Sequence, residues 1–262
     1  MKKDDWFTND YAKKFISFSG GVESTTMCVL FGRGVKAIFA DTGFEHQIIY
    51  DRLDLVERWC KKEWGNDFEI IRVKNDKYIS LPDYILESHF YPNFQSRYCT
   101  RMFKIEPIDK YLDQFKDKGV ELMIGLNAEE TDRTGNHGNK AFINYRYPLI
   151  ENVITRQKCI EVLKHVGLKP QFPPYMKRGG CIGCYFKSVK EYEAMALLNP
   201  SEFKVVEDLE SNMQDIRQDF FSIHQNMPMK QIRENVSNLI FKPEEIYPVV
   251  NDVTMCGVFC NR

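Results

Sequence analysis

The sequence predicts an α/β protein with a doubly wound parallel sheet and helices on both faces. Three observations carry that expectation. Apolar runs of strand length alternate with amphipathic runs of helix length through the first half of the chain. Three of these strand-like runs end at once in turns rich in Gly, Ser, Thr or Asp, around Ser19, Asp41 and Gly125. The chain has 262 residues, 43% hydrophobic and 28% charged, enough for one large core or a domain with a small appendage.

Residues 14–18 form the first strand and run into Ser19-Gly20-Gly21. A helix is expected from Ser24, where Ser24 and Thr25 can supply capping oxygens, and Gly32 and Gly34 stop it. Residues 35–40 make a second buried strand, followed by Asp41-Thr42-Gly43. A long helix over 47–64 repeats Ile48, Leu53, Val56 and Cys60 at helical spacing. Residues 68–73 are a third strand, 105–116 a helix, and 120–124 a fourth strand ending at Gly125. From Gly167 the composition changes to Pro170, Pro173 and Pro174, then helix, then a cysteine-bearing tail. The expected division is a 1–166 α/β domain and a 167–262 extension packed over the site. In such sheets a ligand sits beyond the strand C-termini at a topological switch point, so the three turns should converge there.

Formal net charge is -1, which gives no overall electrostatic footprint for nucleic acid or an anionic membrane. A local basic groove stays open. No apolar run reaches the roughly 18–20 residues of a membrane span, and the charged start Met1-Lys2-Lys3-Asp4-Asp5 lacks a signal-like apolar stretch. A cytoplasmic protein with reduced thiols is expected, so paired cysteine spacing points to metal or redox chemistry before disulfides. Cys28, Cys60 and Cys159 fall in apolar helical patterns and read as small buried hydrophobes.

A strand, then Ser-Gly-Gly, then a hydroxyl-rich helix start is phosphate chemistry. Glycines let backbone N–H groups wrap an anion, and the helix N-terminus adds partial positive charge. Ser19, Ser24 and Thr25 add hydroxyl donors. The segment from Phe18 to Thr25 resembles the SGGxDS signature of PP-loop ATP pyrophosphatases. Three later segments resemble the phosphoadenosine-phosphosulfate (PAPS) reductase branch of that adenine nucleotide alpha hydrolase-like superfamily. Ala40-Asp41-Thr42-Gly43-Phe44-Glu45 is similar to its DTGxE segment, and Arg97-Tyr98-Cys99-Thr100 with Lys104 and Pro107 to its Cys…Lys…Pro element. The stretch Gly125-Leu126-Asn127-Ala128-Glu129-Glu130, ending at Arg133, resembles its GxRxxExxxR element. The chain departs from the pattern in two places. Glu23 replaces Asp, and Asn127 replaces an Arg that would pair bidentately with substrate anions, which weakens the case for PAPS or adenylyl sulfate as substrate.

The resemblance implies that Ser19, Gly20, Gly21, Ser24 and Thr25 hold phosphates. Thr42, Gly43, Arg97, Gly125 and Glu130 join the nucleotide site. Glu23 or Asp41 could orient Mg²⁺, which prefers carboxylate plus phosphate oxygens. Lys104, Arg97 and Arg133 are candidates to offset charge developing on a phosphate.

Gly179-Gly180-Cys181-Ile182-Gly183-Cys184 lets two sulfurs point at one metal. Cys256 and Cys260 in the tail, with Cys99, make five candidates for a tetrahedral sulfur site holding a [4Fe–4S] cluster or Zn²⁺. The family resemblance favours iron–sulfur. Cys256-Gly257 also resembles the core of the reductase tail, leaving Cys256 either nucleophile or ligand. A redox dithiol is the alternative for Cys181 and Cys184. The leading expectation is adenylation by ATP with pyrophosphate release for sulfur transfer, with a nucleic acid or a sulfur-donor protein as candidate partner and homo-oligomerisation open. The alternatives are sulfonucleotide reduction by Cys256, and a non-catalytic nucleotide or nucleic-acid binder with a structural metal.

Overall fold

The computed structural model describes residues 13–134, 140–177, 180–224 and 227–237. The elements run β1 (Lys13–Phe18), α1 (Val22–Phe31), β2 (Lys36–Ala40), α2 (Gln47–Trp64), β3 (Ile70–Val73), α3 (Leu81–Ser88) and α4 (Tyr98–Thr100). A π-helical segment, Arg101–Ile105, leads into α5 (Glu106–Leu112), followed by β4 (Val120–Ile124), β5 (Ile143–Arg146), α6 (Pro148–Glu151) and α7 (Arg156–His165). Then come α8 (Val189–Leu198), α9 (Pro200–Arg217) and α10 (Met229–Ser237).

All five strands pair in parallel, in the order β3-β2-β1-β4-β5. The chain steps outward from β1 to β3, then returns to the other side of β1 for β4. The direction of winding therefore reverses between β1 and β4, which makes their C-terminal edge the switch point. Alternation along the strands feeds two cores. Phe15, Ile38, Ala40 and Leu122 face the side covered by Ile108 and Leu112 of α5. Ile16, Phe18, Ala37 and Phe39 face the larger core, shared with α1, α2, α7, α8 and α9. That core runs without a break from Ile16 to Tyr192, Phe203 and Met213. Cys28, Cys60 and Cys159 are fully buried in it, as small hydrophobes should be.

Three local differences from the sequence expectation have physical causes. Helix α1 begins at Val22 rather than Ser24, because a left-handed Gly20 (φ 78) and an extended Gly21 (φ -78, ψ 179) complete the turn in two residues. The helix expected over 105–116 is a π-segment, a short α-helix and a 3-10 turn, with Pro107 at the start of α5 where its missing N–H costs nothing. Strand β5 has no counterpart among the expected elements. Its sequence, Ile-Asn-Tyr-Arg, is an edge strand with a single buried residue, so no apolar run announces it.

Candidate functional site

The register places three turns side by side. Phe18 pairs with Phe39, and Ser17 with Ile124, so Ser19, Asp41 and Gly125 emerge from the same edge of adjacent strands. Gly125 is required by proximity. A Cβ there would lie 3.1 Å from Ser24 N and 3.2 Å from the Glu23 carbonyl carbon, both backbone atoms of the first turn of α1.

Around the first turn, Ser19 N–H donates to Ser24 Oγ (3.2 Å), the two hydroxyls lie 3.1 Å apart, and Thr25 N–H closes on Gly21 O at 3.0 Å. Among the described residues, the N–H groups of Gly20 and Gly21 donate to no protein acceptor. The first N–H groups of α1 likewise have no acceptor inside the helix. Gly20 to Thr25 are buried and Ser19 is half-buried, so Ser19 and the half-buried Gly125 are the accessible members. Thr25 faces inward: its hydroxyl accepts from Arg52 Nη2 at 3.0 Å. The donors at this turn are backbone amides more than the hydroxyls the sequence emphasised.

Beside the turn lies a charged network. Glu23 is ion-paired with Arg156, and the Asn127 amide nitrogen reaches both Glu23 (3.3 Å) and Glu130 (2.8 Å). Glu130 in turn pairs with Arg133. Burial pushes the Glu23 carboxyl above its ordinary value, and the Arg156 charge pulls the other way. Asn127, standing where the resemblance expects Arg, is 3% exposed and braces two carboxylates. Arg156 is not among the residues that sequence reasoning singles out. A faint signal exists, since Thr155 caps α7 and a cation in the first turn opposes the helix dipole, which hints at an acidic partner.

Asp41 accepts from the Tyr50 hydroxyl (2.7 Å) and Gly43 N–H (2.9 Å), and pairs with Lys74 at 3.1 Å. Gly43 is left-handed (φ 67), and a Cβ would meet Ser80 Cβ at 2.7 Å. The next residues leave the switch point for the cysteines. Glu45 forms a β-bridge with Cys181, and Ile182 N–H donates to Phe44 O at 2.8 Å. Glu45 Oε1 accepts from Thr42 Oγ1 (3.0 Å) and from the Cys181 thiol (3.5 Å), with Lys104 Nζ at 3.6 Å. Lys104, a phosphate candidate from sequence, thus lies against the cysteine group, and the Arg97 guanidinium stands 5.7 Å over Phe186.

Burial raises the thiol pKa of Cys99, Cys181 and Cys184; the Glu45 carboxylate and then the neighbouring cysteines raise Cys181 further, and Cys99 raises Cys184. Lys104 opposes the rise at all three. Among the described residues, no three His, Cys, Asp or Glu side chains converge closely enough to hold a metal ion. Cys256 and Cys260 lie outside the described residues. The knuckle itself is tightly built: the Tyr91 hydroxyl donates to Gly183 O, and a Cβ on Gly183 would sit 2.6 Å from that hydroxyl and 2.8 Å from the Phe44 ring. Gly183→Ala is therefore expected to destabilise the protein by about 1–3 kcal/mol through overpacking. A urea melt checks it, and an unchanged midpoint would mean the knuckle can shift freely.

No family model matches the chain. Two uncharacterized proteins of Methanocaldococcus jannaschii are similar to parts of it. One is 30% identical over 103 residues, 38% of this chain and 23% of that protein. The other is 25% identical over 120 residues, 44% of this chain and 23% of that protein. The chain thus spans under a quarter of the length of these relatives. Among solved structures it is similar to an NH3-dependent NAD synthetase from Campylobacter jejuni in complex with nitrate. The identity is 13%, the coverage 84% of this chain and 93% of that one, and the TM-score 0.40. Among the described residues no helix is long and apolar enough to cross a membrane.

Proposed function

We propose that the chain is a PP-loop enzyme of the PAPS reductase-like branch that binds ATP and adenylates a substrate oxygen, releasing pyrophosphate, in preparation for sulfur transfer. One observation carries this reading. Two consecutive N–H groups without protein acceptors, those of Gly20 and Gly21, precede the positive end of α1 at the reversal between β1 and β4. Buried amides are nearly always paired, so this pair asks for an acceptor such as a phosphate oxygen.

In this reading the terminal phosphates of ATP rest on the Gly20 and Gly21 amides and the first turn of α1, entering past Ser19. A substrate oxygen attacks the α-phosphorus, the bond to the bridging oxygen breaks, and pyrophosphate leaves; nearby cations offset its charge, and Mg²⁺ would add to this if bound. Arg156 pairs directly with Glu23 in this turn, and Arg133 is linked to it through Glu130 and Asn127. Glu23 and Asp41 are the carboxylates that would orient Mg²⁺, each in competition with the Arg or Lys it now pairs with.

The same proposal makes Cys99, Cys181 and Cys184 thiolate ligands of a [4Fe–4S] cluster or Zn²⁺. The donor chemistry suits a soft metal, and Lys104 offers positive charge to balance thiolates. Among the described residues these three thiols do not converge closely enough to hold a metal ion, so they do not fit a cluster in this arrangement. A bound cluster would supply a place to hold sulfur.

The test is pyrophosphate release from ATP and Mg²⁺, with and without added nucleic acid. Release above the no-protein control is expected. ATP binding with no turnover under any condition would identify a non-catalytic binder, and sulfite release from PAPS or adenylyl sulfate would identify a reductase acting through Cys256. For the metal, anaerobic purification should give iron and sulfide at about four each per chain, falling sharply in Cys181→Ser. Metal-free protein would remove the cluster from the account.

A further inference from the structure

Arg52 lies on α2 and is 6% exposed. Its Nε donates to Gly20 O at 2.9 Å and its Nη2 to Thr25 Oγ1 at 3.0 Å. Nη1 and Nη2 also reach Leu168 O at 3.5 and 3.4 Å, and the guanidinium carbon stands 5.7 Å over the Phe172 ring. Every partner is neutral. Among the described residues, no carboxylate lies within ion-pair distance of this guanidinium.

A buried charge is normally paired, because leaving water costs several kcal/mol that neutral acceptors repay only in part. Burial alone lowers the Arg52 pKa to about 10, so the group remains a cation at neutral pH. The charge sits directly behind the turn that leads into α1.

We propose that Arg52 is the positioning residue of this turn: it pins the Gly20 carbonyl toward α2, aims the Gly21 N–H the opposite way, and lends its uncompensated charge to a bound polyphosphate. The proposal rests on the nucleotide reading above and adds a residue that no family motif marks. The geometry follows from peptide planarity. Gly20 C=O and Gly21 N–H belong to one trans peptide, so holding the carbonyl on one side presents the amide on the other. Left-handed Gly20 would otherwise leave that plane easy to rotate. Arg52 does not touch the anion. It acts through the turn and through the field, as supporting partners of a site commonly do. Its bonds to Leu168 also tie the chain beyond α7 to the turn.

The experiment is calorimetric titration of wild type, Arg52→Lys and Arg52→Met with ATP, inorganic pyrophosphate and adenosine. For Arg52→Met, affinity for ATP and pyrophosphate should fall about 10- to 100-fold while adenosine binding is unchanged. Arg52→Lys, which keeps the charge but loses the planar fork, should fall between. A purely structural role would weaken ATP and adenosine alike. Equal ATP affinity in wild type and Arg52→Met would overturn the proposal and leave the nucleotide reading standing. If wild type binds neither ATP nor pyrophosphate, the nucleotide reading itself fails and Arg52 loses its role with it. If Arg52→Met does not fold, wild type decides alone. Pyrophosphate should raise its melting temperature without Mg²⁺, because the neutralising charge belongs to the protein, and stabilisation seen only with Mg²⁺ would overturn the proposal.

Discussion

Gly125→Val is expected to lower ATP affinity by at least about 100-fold while leaving the sheet intact. The cause is steric and local. A Cβ at this position already stands 3.1 Å from Ser24 N and 3.3 Å from Ser24 Cα, closer than ordinary van der Waals contact. Valine adds two methyl groups beyond it. The neighbours are backbone atoms of α1, which cannot rotate out of the way as a side chain could. The first turn of α1 must therefore lift from the end of β4, and it carries the Gly20 and Gly21 amides with it. Overpacking of this kind costs about 1–3 kcal/mol in stability, so the folded fraction should stay high enough to measure binding. Gly125→Ala should show a smaller loss of the same sign. Calorimetry on the folded variant checks the prediction, and wild-type affinity would mean the amides do not form the anion site.

Arg156→Ala should be the most destabilising single change in the network, by about 2–4 kcal/mol at neutral pH. Among the described residues it leaves Glu23, 9% exposed, as a buried carboxylate with only the Asn127 amide as a side-chain partner. The pH dependence gives the test its specificity. Burial already raises the Glu23 pKa in the folded protein despite Arg156. Removing Arg156 takes away the main opposing charge, so the folded value rises further. A raised folded pKa means that the folded state holds the proton more readily than the unfolded chain. Stability from this group is then present below the unfolded value and lost as pH rises through the folded one. The penalty of Arg156→Ala should therefore be largest at pH 8 and shrink toward pH 5. Glu23→Gln in the same chain should recover much of it. Urea melts at the two pH values decide the matter; a penalty that does not change with pH would show that the ion pair is not what the variant removes.

Much of the fold is legible in the sequence, for identifiable reasons. Helix α2 is expected over 47–64 and spans Gln47–Trp64, because a strong apolar stripe ends at Gly65. Strand β4 is expected over 120–124 and is Val120–Ile124, because five buried residues stop at a glycine. The meeting of the turns after β1, β2 and β4 follows from parallel topology alone. What stays hidden depends on tertiary contact. The pairing of Glu45 with Cys181 joins segments far apart in the chain, and Lys104 stands beside that pair. Arg52 reads in the sequence as one more charge on a surface helix. Its spacing carries a signal, since Ile49, Arg52, Leu53, Val56 and Cys60 form one buried stripe and a cation within such a stripe needs a reason. The inward direction of the Thr25 hydroxyl is hidden in the same way, because the sequence suggests a helix start at Ser24. Starting at Val22 turns Thr25 into the core, onto Arg52.

A protein labelled only at its 15 glycines offers a direct view of the turn. Titrated with ATP and followed by the amide resonances, Gly20 and Gly21 should show the largest shifts and slowed exchange with solvent, with Gly125 next. Saturating ATP that leaves Gly20 and Gly21 unmoved, or that moves glycines elsewhere instead, would contradict the account at its centre.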